Sequence, residues 1–161
     1  MCGINGLINY NGIENGQKLI DTMCNSSKHR GPDHSDTFVS DQALLGHNRL
    51  AIIDLNPESN QPFYSQDNSL VMVFNGEIYN YLDLKKELSD YEFQTNSDTE
   101  VVLAAYQKWG KNFLSKVNGM FALAIWDIKR KELFIARDRL GIKPVYFYDD
   151  DSNFIFSSEI R

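Results

Sequence analysis

Cys2 combines a thiol with a free α-amine once Met1 has been removed. An α-amine has an unperturbed pKa of roughly 7.7–8.0, so it can act as a general base near neutral pH. A base beside a weak nucleophile is a general way of activating it. The alternative is that a cysteine after the initiator methionine has no function. We therefore treat Cys2 as a candidate nucleophile that carries its own base.

A second candidate is the pair Asn75-Gly76, which follows the apolar residues 70–74. We expect a strand to end there, with the Asn75 side-chain amide and the Gly76 backbone N–H side by side. Glycine lets the backbone approach a ligand closely, and two such donors are what an oxyanion hole requires. The alternative is an ordinary Asn-Gly turn between strands.

Two charged residues could recognise a small zwitterion. Arg49 precedes the apolar residues 50–53 and can either clamp a carboxylate with two hydrogen bonds or be a solvated edge charge. Asp98 stands in the first turn of a predicted helix, where it complements the helix dipole or holds a substrate ammonium. The three histidines lack a metal-ligand spacing, and Cys24 lies on an apolar helical face. We expect no metal site and a core position for Cys24.

The elements that must position these residues alternate between short strands and helices. Ser97-Asp98-Thr99-Glu100 has the form of a capping box before a helix that Gly110 ends. The remaining apolar patterns predict helices near residues 19–24 and 81–88, strands over 3–8, 37–40, 43–45 and 70–74, and hairpins over 120–136 and 145–156. We expect one domain whose sheets are largely antiparallel.

Composition excludes several classes of protein. The 161 residues are 42% hydrophobic and 24% charged, which is typical of a globular domain. The net charge of −6, without a Lys/Arg block, argues against nucleic acid as a partner. The longest apolar stretch, residues 117–126, is too short to span a bilayer, and no secretory signal is readable. Two cysteines fit a cytoplasmic protein, which is the location we expect.

The chain also resembles a known family over its whole length. It resembles the glutaminase domain of the class II glutamine amidotransferases, and within them the glutamine-hydrolysing asparagine synthetases. The residues that carry this resemblance are Met1-Cys2-Gly3-Ile4, residues 29–33 (His-Arg-Gly-Pro-Asp), residues 46–54, residues 60–62, residues 75–80 (Asn-Gly-Glu-Ile-Tyr-Asn), Ser97-Asp98-Thr99-Glu100, residues 118–122 and residues 137–144. The motifs at 29–33 and 49–54 favour the asparagine synthetase branch.

The resemblance implies an α+β fold over residues 1–161, a four-layer αββα sandwich with two mostly antiparallel sheets, as in N-terminal-nucleophile hydrolases. It implies roles as well. Cys2 matches the nucleophile, Asn75 and Gly76 match the oxyanion hole, and Arg49 matches the residue that binds the α-carboxylate of glutamine. Glu77 and Asp98 match positions on the α-amine side. The positions that match the lining of the glutamine site are Leu50, Ala51, Ile52 and Ile53.

The activity implied is hydrolysis of glutamine to glutamate and ammonia through a cysteinyl thioester, without a cofactor in this domain. ATP and magnesium are expected only in a synthetase domain, whose Ser-Gly-Gly-Leu-Asp-Ser loop this sequence lacks. We therefore expect a fragment, a truncated product or one half of a split enzyme. A synthetase domain or subunit is the expected ammonia acceptor, and a homodimer is left open. The alternatives are a different acceptor, such as a surface sugar acid, or a glutamine-binding module without catalysis.

The role implied for Arg49 leads to a first prediction. Lysine keeps the positive charge but loses the planar, bidentate geometry of the guanidinium. Arg49→Lys should therefore bind glutamine more weakly, seen as a higher Michaelis constant in a glutaminase assay. An unchanged Michaelis constant would remove Arg49 from the site.

Overall fold

The computed structural model describes residues 1–160, in which two antiparallel sheets lie between helices. Short 3-10 turns occupy Lys28–Arg30, Pro57–Ser59 and Gly110–Ser115. The helices and strands, in chain order, are β1 (Gly3–Ile8), α1 (Gly16–Ser26), β2 (His34–Val39), β3 (Ala43–Arg49), β4 (Phe63–Tyr64), β5 (Leu70–Ile78), α2 (Tyr81–Glu87), α3 (Asp98–Trp109), β6 (Gly119–Asp127), β7 (Glu132–Arg137), β8 (Tyr146–Asp149) and β9 (Phe154–Ser157).

The strands form two sheets that pack face to face. The first sheet has the order β2-β3-β1-β9-β8 and the second the order β4-β5-β6-β7, with every pair antiparallel. Val71 and Val73 of β5 pack in one cluster with Ile4 and Leu45 of the first sheet. Helix α1 lies on the first sheet, whereas α3 packs against the opposite face of β5. The four-layer αββα arrangement that the resemblance implied is therefore confirmed.

Strand β5 runs further than the sequence indicated. The predicted end at Asn75-Gly76 is wrong, because pairing with β6 continues to Ile78, opposite Gly119. A Cβ atom on Gly76 would lie 2.6 Å from the carbonyl oxygen of Met120, so the close approach of β6 requires glycine there. Asn75 and Gly76 are therefore paired residues of β5 and do not form a turn.

Strands β2 and β3 are also longer than predicted. Their pairing extends from Val39 opposite Leu44 to His34 opposite Arg49. The polar residues His47, Asn48 and Arg49 at the end of β3 are all buried. Hydrophobic periodicity does not predict such a polar extension, because it depends only on the positions of apolar residues.

The predicted capping box is only half correct. Ser97 caps α3, but its Oγ accepts from the Thr99 amide, at 3.1 Å, rather than from the Glu100 amide. The Glu100 carboxylate turns to the preceding loop, where it accepts from the amides of Gln94 and Thr95. Glu100 is buried, so its charge is compensated by these donors and not by the Ser97 amide.

Cys24 is buried between α1 and β3, in contact with Ile20 and Leu44, as its helical spacing predicted. None of the helices within residues 1–160 is long and apolar enough to cross a lipid bilayer.

A buried carboxylate organises the segment that follows β7. Asp138 accepts hydrogen bonds from the amides of Phe121, Leu140, Ile142 and Lys143, at 2.9–3.2 Å. Burial alone would raise the pKa of Asp138, but these amides together outweigh it and lower the pKa below its usual value. The segment is thereby held against β6, and Lys143 is brought to the cleft described below.

We predict that Asp138→Ala lowers the free energy of unfolding by roughly 2–4 kcal/mol, because several buried amides lose their acceptor. Urea denaturation followed by circular dichroism measures the change. Asp150→Ala is the matched control, since Asp150 also accepts two backbone amides but on a fully exposed turn. Equal losses in the two variants would contradict the structural role of Asp138.

Candidate active site

A cleft open to solvent lies where β1 begins and where β3 and β5 end, beside the start of α3. All but one of the predicted site residues line it, namely Cys2, Arg49, Leu50, Ile52, Ile53, Asn75, Gly76, Glu77 and Asp98. Ala51 does not line the cleft, and its amide donates to Asp33 at 2.9 Å.

Cys2 stands immediately before β1 and is partly buried at the cleft. Its Sγ atom accepts from the Leu50 amide at 3.4 Å, and its carbonyl oxygen accepts from Arg30 Nε at 3.0 Å. Burial raises the pKa of the Cys2 thiol, although the Leu50 amide and nearby positive charges, including Arg49 and Lys143, oppose that rise. The thiol therefore needs a base before it can act as a nucleophile.

The edge of β5 that faces the cleft carries the backbone donors. Phe121 of β6 donates its N–H to the Asp138 carboxylate and accepts at its C=O from the Asp138 amide. These two groups therefore point away from Gly76, which lies opposite Phe121 on β5. The Gly76 N–H consequently points to the other edge of β5. On that edge, strand β4 pairs only as far as Met72. The next donor, the Phe74 amide, bonds to the Gln61 side chain at 2.6 Å.

Further along the same edge, the Ile78 amide donates to the Asp98 carboxylate at 2.9 Å. The Gly76 amide lies between these two satisfied donors, on the side of the cleft. Nδ2 of Asn75 is buried and has no hydrogen-bond partner among residues 1–160. Because buried polar groups are nearly always satisfied, an orphaned donor in a cleft indicates a place for an acceptor from a ligand.

Arg49, at the end of β3, is buried and bound to the loop that follows it. Its guanidinium donates to the carbonyl oxygens of Asp54 and Asn56 and to Oδ1 of Asn60. Three of its five N–H donors are thus bound to this loop, and the other two make no hydrogen bond within residues 1–160.

Asp98 is buried at the first turn of α3. Burial raises the pKa of its carboxyl to about 6, and the neighbouring charge of Glu77 adds to the rise, while the Ile78 and Thr99 amides oppose it. A cationic ligand would stabilise the ionised form and lower that pKa. An ammonium group bound beside it would therefore favour the carboxylate, which could then form an ion pair with that group.

Several further residues belong to the cleft although their individual types and spacing gave no reason to select them. Gln61, Thr99 and Lys143 line the cleft, and His47 lies behind it. All four stand within the motifs that carry the family resemblance, and that was the signal by which they could have been found. Among residues 1–160, no group of three or more His, Cys, Asp or Glu side chains is arranged to hold a metal ion.

Taken together, the cleft offers a thiol, two unspent N–H donors, a guanidinium with free N–H groups and a buried carboxyl. This set can attack a carbonyl carbon, stabilise the resulting oxyanion and bind the two charged groups of an amino acid. These are the groups that acyl transfer from the side-chain amide of an amino acid requires. The individual roles assigned to the residues stay predictions.

Known proteins resemble the chain in sequence and in fold. The glutamine amidotransferase domain family matches residues 1–161. The chain is 42% identical over 165 residues to asparagine synthetase B (glutamine-hydrolysing) of Escherichia coli, covering all of the chain and 29% of that protein. It is 40% identical over 167 residues to asparagine synthetase 3 (glutamine-hydrolysing) of Bacillus subtilis, covering all of the chain and 27% of that protein.

A solved structure is similar as well. The glutamine phosphoribosylpyrophosphate amidotransferase of B. subtilis matches with a TM-score of 0.80 and 25% identity, over 98% of the chain and 42% of that protein. The chain thus spans less than a third of the length of the two synthetases named above. The fold, the cleft and these similarities agree, and the chain belongs to the glutamine amidotransferase domain family.

Proposed function

We propose that this domain hydrolyses glutamine to glutamate and ammonia, as the ammonia-supplying half of an asparagine synthetase. The observation that carries the proposal is the meeting of Cys2 and the unpartnered Nδ2 of Asn75 in one cleft of a glutamine amidotransferase domain. The identity of about 40% to glutamine-hydrolysing asparagine synthetases supports that branch.

The reaction proceeds in two acyl-transfer steps. Removal of Met1 frees the α-amine of Cys2, which takes the thiol proton as the sulfur attacks the side-chain amide carbon of glutamine. Asn75 Nδ2 and the Gly76 amide hold the oxyanion of the tetrahedral intermediate. The α-amine returns the proton to the leaving nitrogen, ammonia departs and a γ-glutamyl thioester remains. Water then hydrolyses the thioester to glutamate and regenerates the thiol.

Recognition of glutamine rests on its two charged groups. Arg49 provides the charge and the free N–H groups for the α-carboxylate. Asp98 and Glu77, which line the same cleft, face the α-ammonium. Residues Leu50, Ile52 and Ile53 form the adjoining wall, and the hydrogen bond from the Ala51 amide to Asp33 holds that loop in place.

The ammonia acceptor belongs to a synthetase domain or subunit, which binds ATP and magnesium and activates aspartate. The glutaminase chemistry proposed here uses only side-chain and backbone groups of the domain and requires no cofactor. The cytoplasm is the compartment we propose, since both cysteines are free thiols.

The first test uses the two cysteines. With Met1 removed, the parent protein should release glutamate and ammonia in equal amounts from glutamine. Cys2→Ala should lower turnover by roughly 10⁴-fold or more, since the nucleophile is lost. Cys24→Ala is the matched control, because it removes a buried thiol of α1 and should leave turnover close to that of the parent. A chain that retains Met1 should be as inactive as Cys2→Ala.

Two outcomes would contradict the proposal. Glutamate release by Cys2→Ala, or by the chain that retains Met1, would overturn the mechanism. Binding of glutamine by the parent protein without any glutamate release would instead make the domain a glutamine-binding module.

A second test uses the raised pKa of Asp98, which is about 6. The carboxyl must lose its proton to pair with an ammonium, so glutamine affinity should rise as pH increases through about 6. Below that value the affinity should fall by roughly tenfold per pH unit, as expected for one linked proton. Calorimetry with the inactive Cys2→Ala variant measures binding without turnover.

Asp98→Asn should bind glutamine weakly and without this pH dependence. Asp67→Asn is the control, because Asp67 lies on an exposed turn where Ser65 and Ser69 lower its pKa to about 2. It should leave the pH profile of binding unchanged. A profile that is the same in Asp98→Asn as in the parent would remove Asp98 from the ammonium site.

A further inference from the structure

The N–H and C=O of Phe74 lie on the edge of β5 that faces β4, just beyond the point where pairing with β4 stops. Strand β4 has only two residues, and its pairing ends with Phe63 opposite Met72. Two more paired residues, which would place the Gln61 backbone opposite Phe74, would have satisfied both the N–H and the C=O of Phe74. Instead, two side chains do so. Gln61 Oε1 accepts from the Phe74 amide at 2.6 Å, and His47 Nε2 donates to the Phe74 carbonyl oxygen at 3.1 Å.

His47 belongs to β3 of the first sheet and is completely buried. Burial lowers the pKa of its imidazole to about 3, and the positive charge of Arg49 adds to this effect. The ring is therefore neutral and carries a single N–H. Nδ1 has no hydrogen-bond partner among residues 1–160, whereas Nε2 carries the proton and donates it to the Phe74 carbonyl oxygen. This contact crosses from the first sheet to the second.

Gln61 bonds to the other polar group of the Phe74 backbone, its N–H. It is buried in the loop before β4, and its Nε2 donates to Thr99 Oγ1 at 3.4 Å. Thr99 follows Asp98 in the first turn of α3. One side chain thus connects the edge of β5 with the helix end that carries the predicted ammonium-binding carboxyl.

We propose that His47 and Gln61 are positioning residues of the oxyanion hole, an inference that rests on the proposed glutaminase function. They hold the N–H and the C=O of Phe74, and the next two residues, Asn75 and Gly76, carry the donors that face the cleft. Displacement of a catalytic group by about 1 Å can cost two orders of magnitude in rate. Neither residue needs to touch glutamine to have this effect.

The test replaces each support by a side chain of similar size that cannot make the bond. His47→Leu and Gln61→Met should each lower kcat for glutamine hydrolysis by roughly 10- to 100-fold, while KM changes little. The aldehyde analogue of glutamine, which forms a tetrahedral adduct with the thiol, reports on the oxyanion hole directly. Its inhibition constant should rise by the same factor as kcat falls, since both depend on the oxyanion donors.

Two further variants separate positioning from general loosening of the fold. His47→Gln retains an N–H donor and should recover most of the lost kcat. Leu45→Ala is the matched control, because Leu45 lies two residues before His47 on the same buried face of β3 but makes no polar contact with β5. It should destabilise the domain by leaving a cavity and yet preserve kcat and the inhibition constant.

The inference is overturned if the parent protein is active and His47→Leu and Gln61→Met match its kcat. It is also overturned if Leu45→Ala loses kcat to the same extent, because loss of packing would then be sufficient. A parent protein that is inactive with Met1 removed is a different result. It overturns the proposed function and, with it, the reaction on which the positioning residues would act.

Discussion

The short length of β4 is the constraint on which the cleft depends. Strand β5 has nine residues, but only two of them have a partner in β4. Beyond Met72 this edge of β5 has no neighbouring strand, so its buried N–H and C=O groups would lack hydrogen-bond partners. Each unsatisfied group would cost roughly 1–3 kcal/mol. Side chains of Gln61, His47 and Asp98 satisfy three of these groups, and the Gly76 amide between them remains for a ligand.

Burial explains the electrostatics of the same region. It raises the pKa of the Cys2 thiol, raises that of Asp98 to about 6 and lowers that of His47 to about 3. All three shifts favour the neutral form, because a low-dielectric interior penalises charge. A ligand with charged groups could therefore shift these equilibria towards the ionised forms. The base that takes the thiol proton must be a group that is better solvated than these three.

The alternation of side chains along β5 links the core to the site. Val71 and Val73 face the first sheet, and Asn75 is the next residue on that face. Its amide therefore points into the space between the sheets, near Cys2, because the strand continues. Had the chain turned at Asn75-Gly76, which was the alternative for this pair, this orientation would have been lost. Asn-Gly is favoured in hairpin turns, but here the pairing with β6 continues through both residues to Ile78.

The hairpins, the helix capped by Ser97 and the core position of Cys24 could be predicted from the sequence alone, and its motifs indicated the family and the candidate site residues. These depend on local spacing and residue type, which a sequence displays directly. The extension of β3 through buried polar residues and the contacts of Arg49 with the following loop became apparent only in the folded structure. The same holds for the hydrogen bonds of His47 and Gln61 to the Phe74 backbone. Those features arise from hydrogen bonds between segments far apart in the chain, and no local pattern records which partner a buried polar group will find.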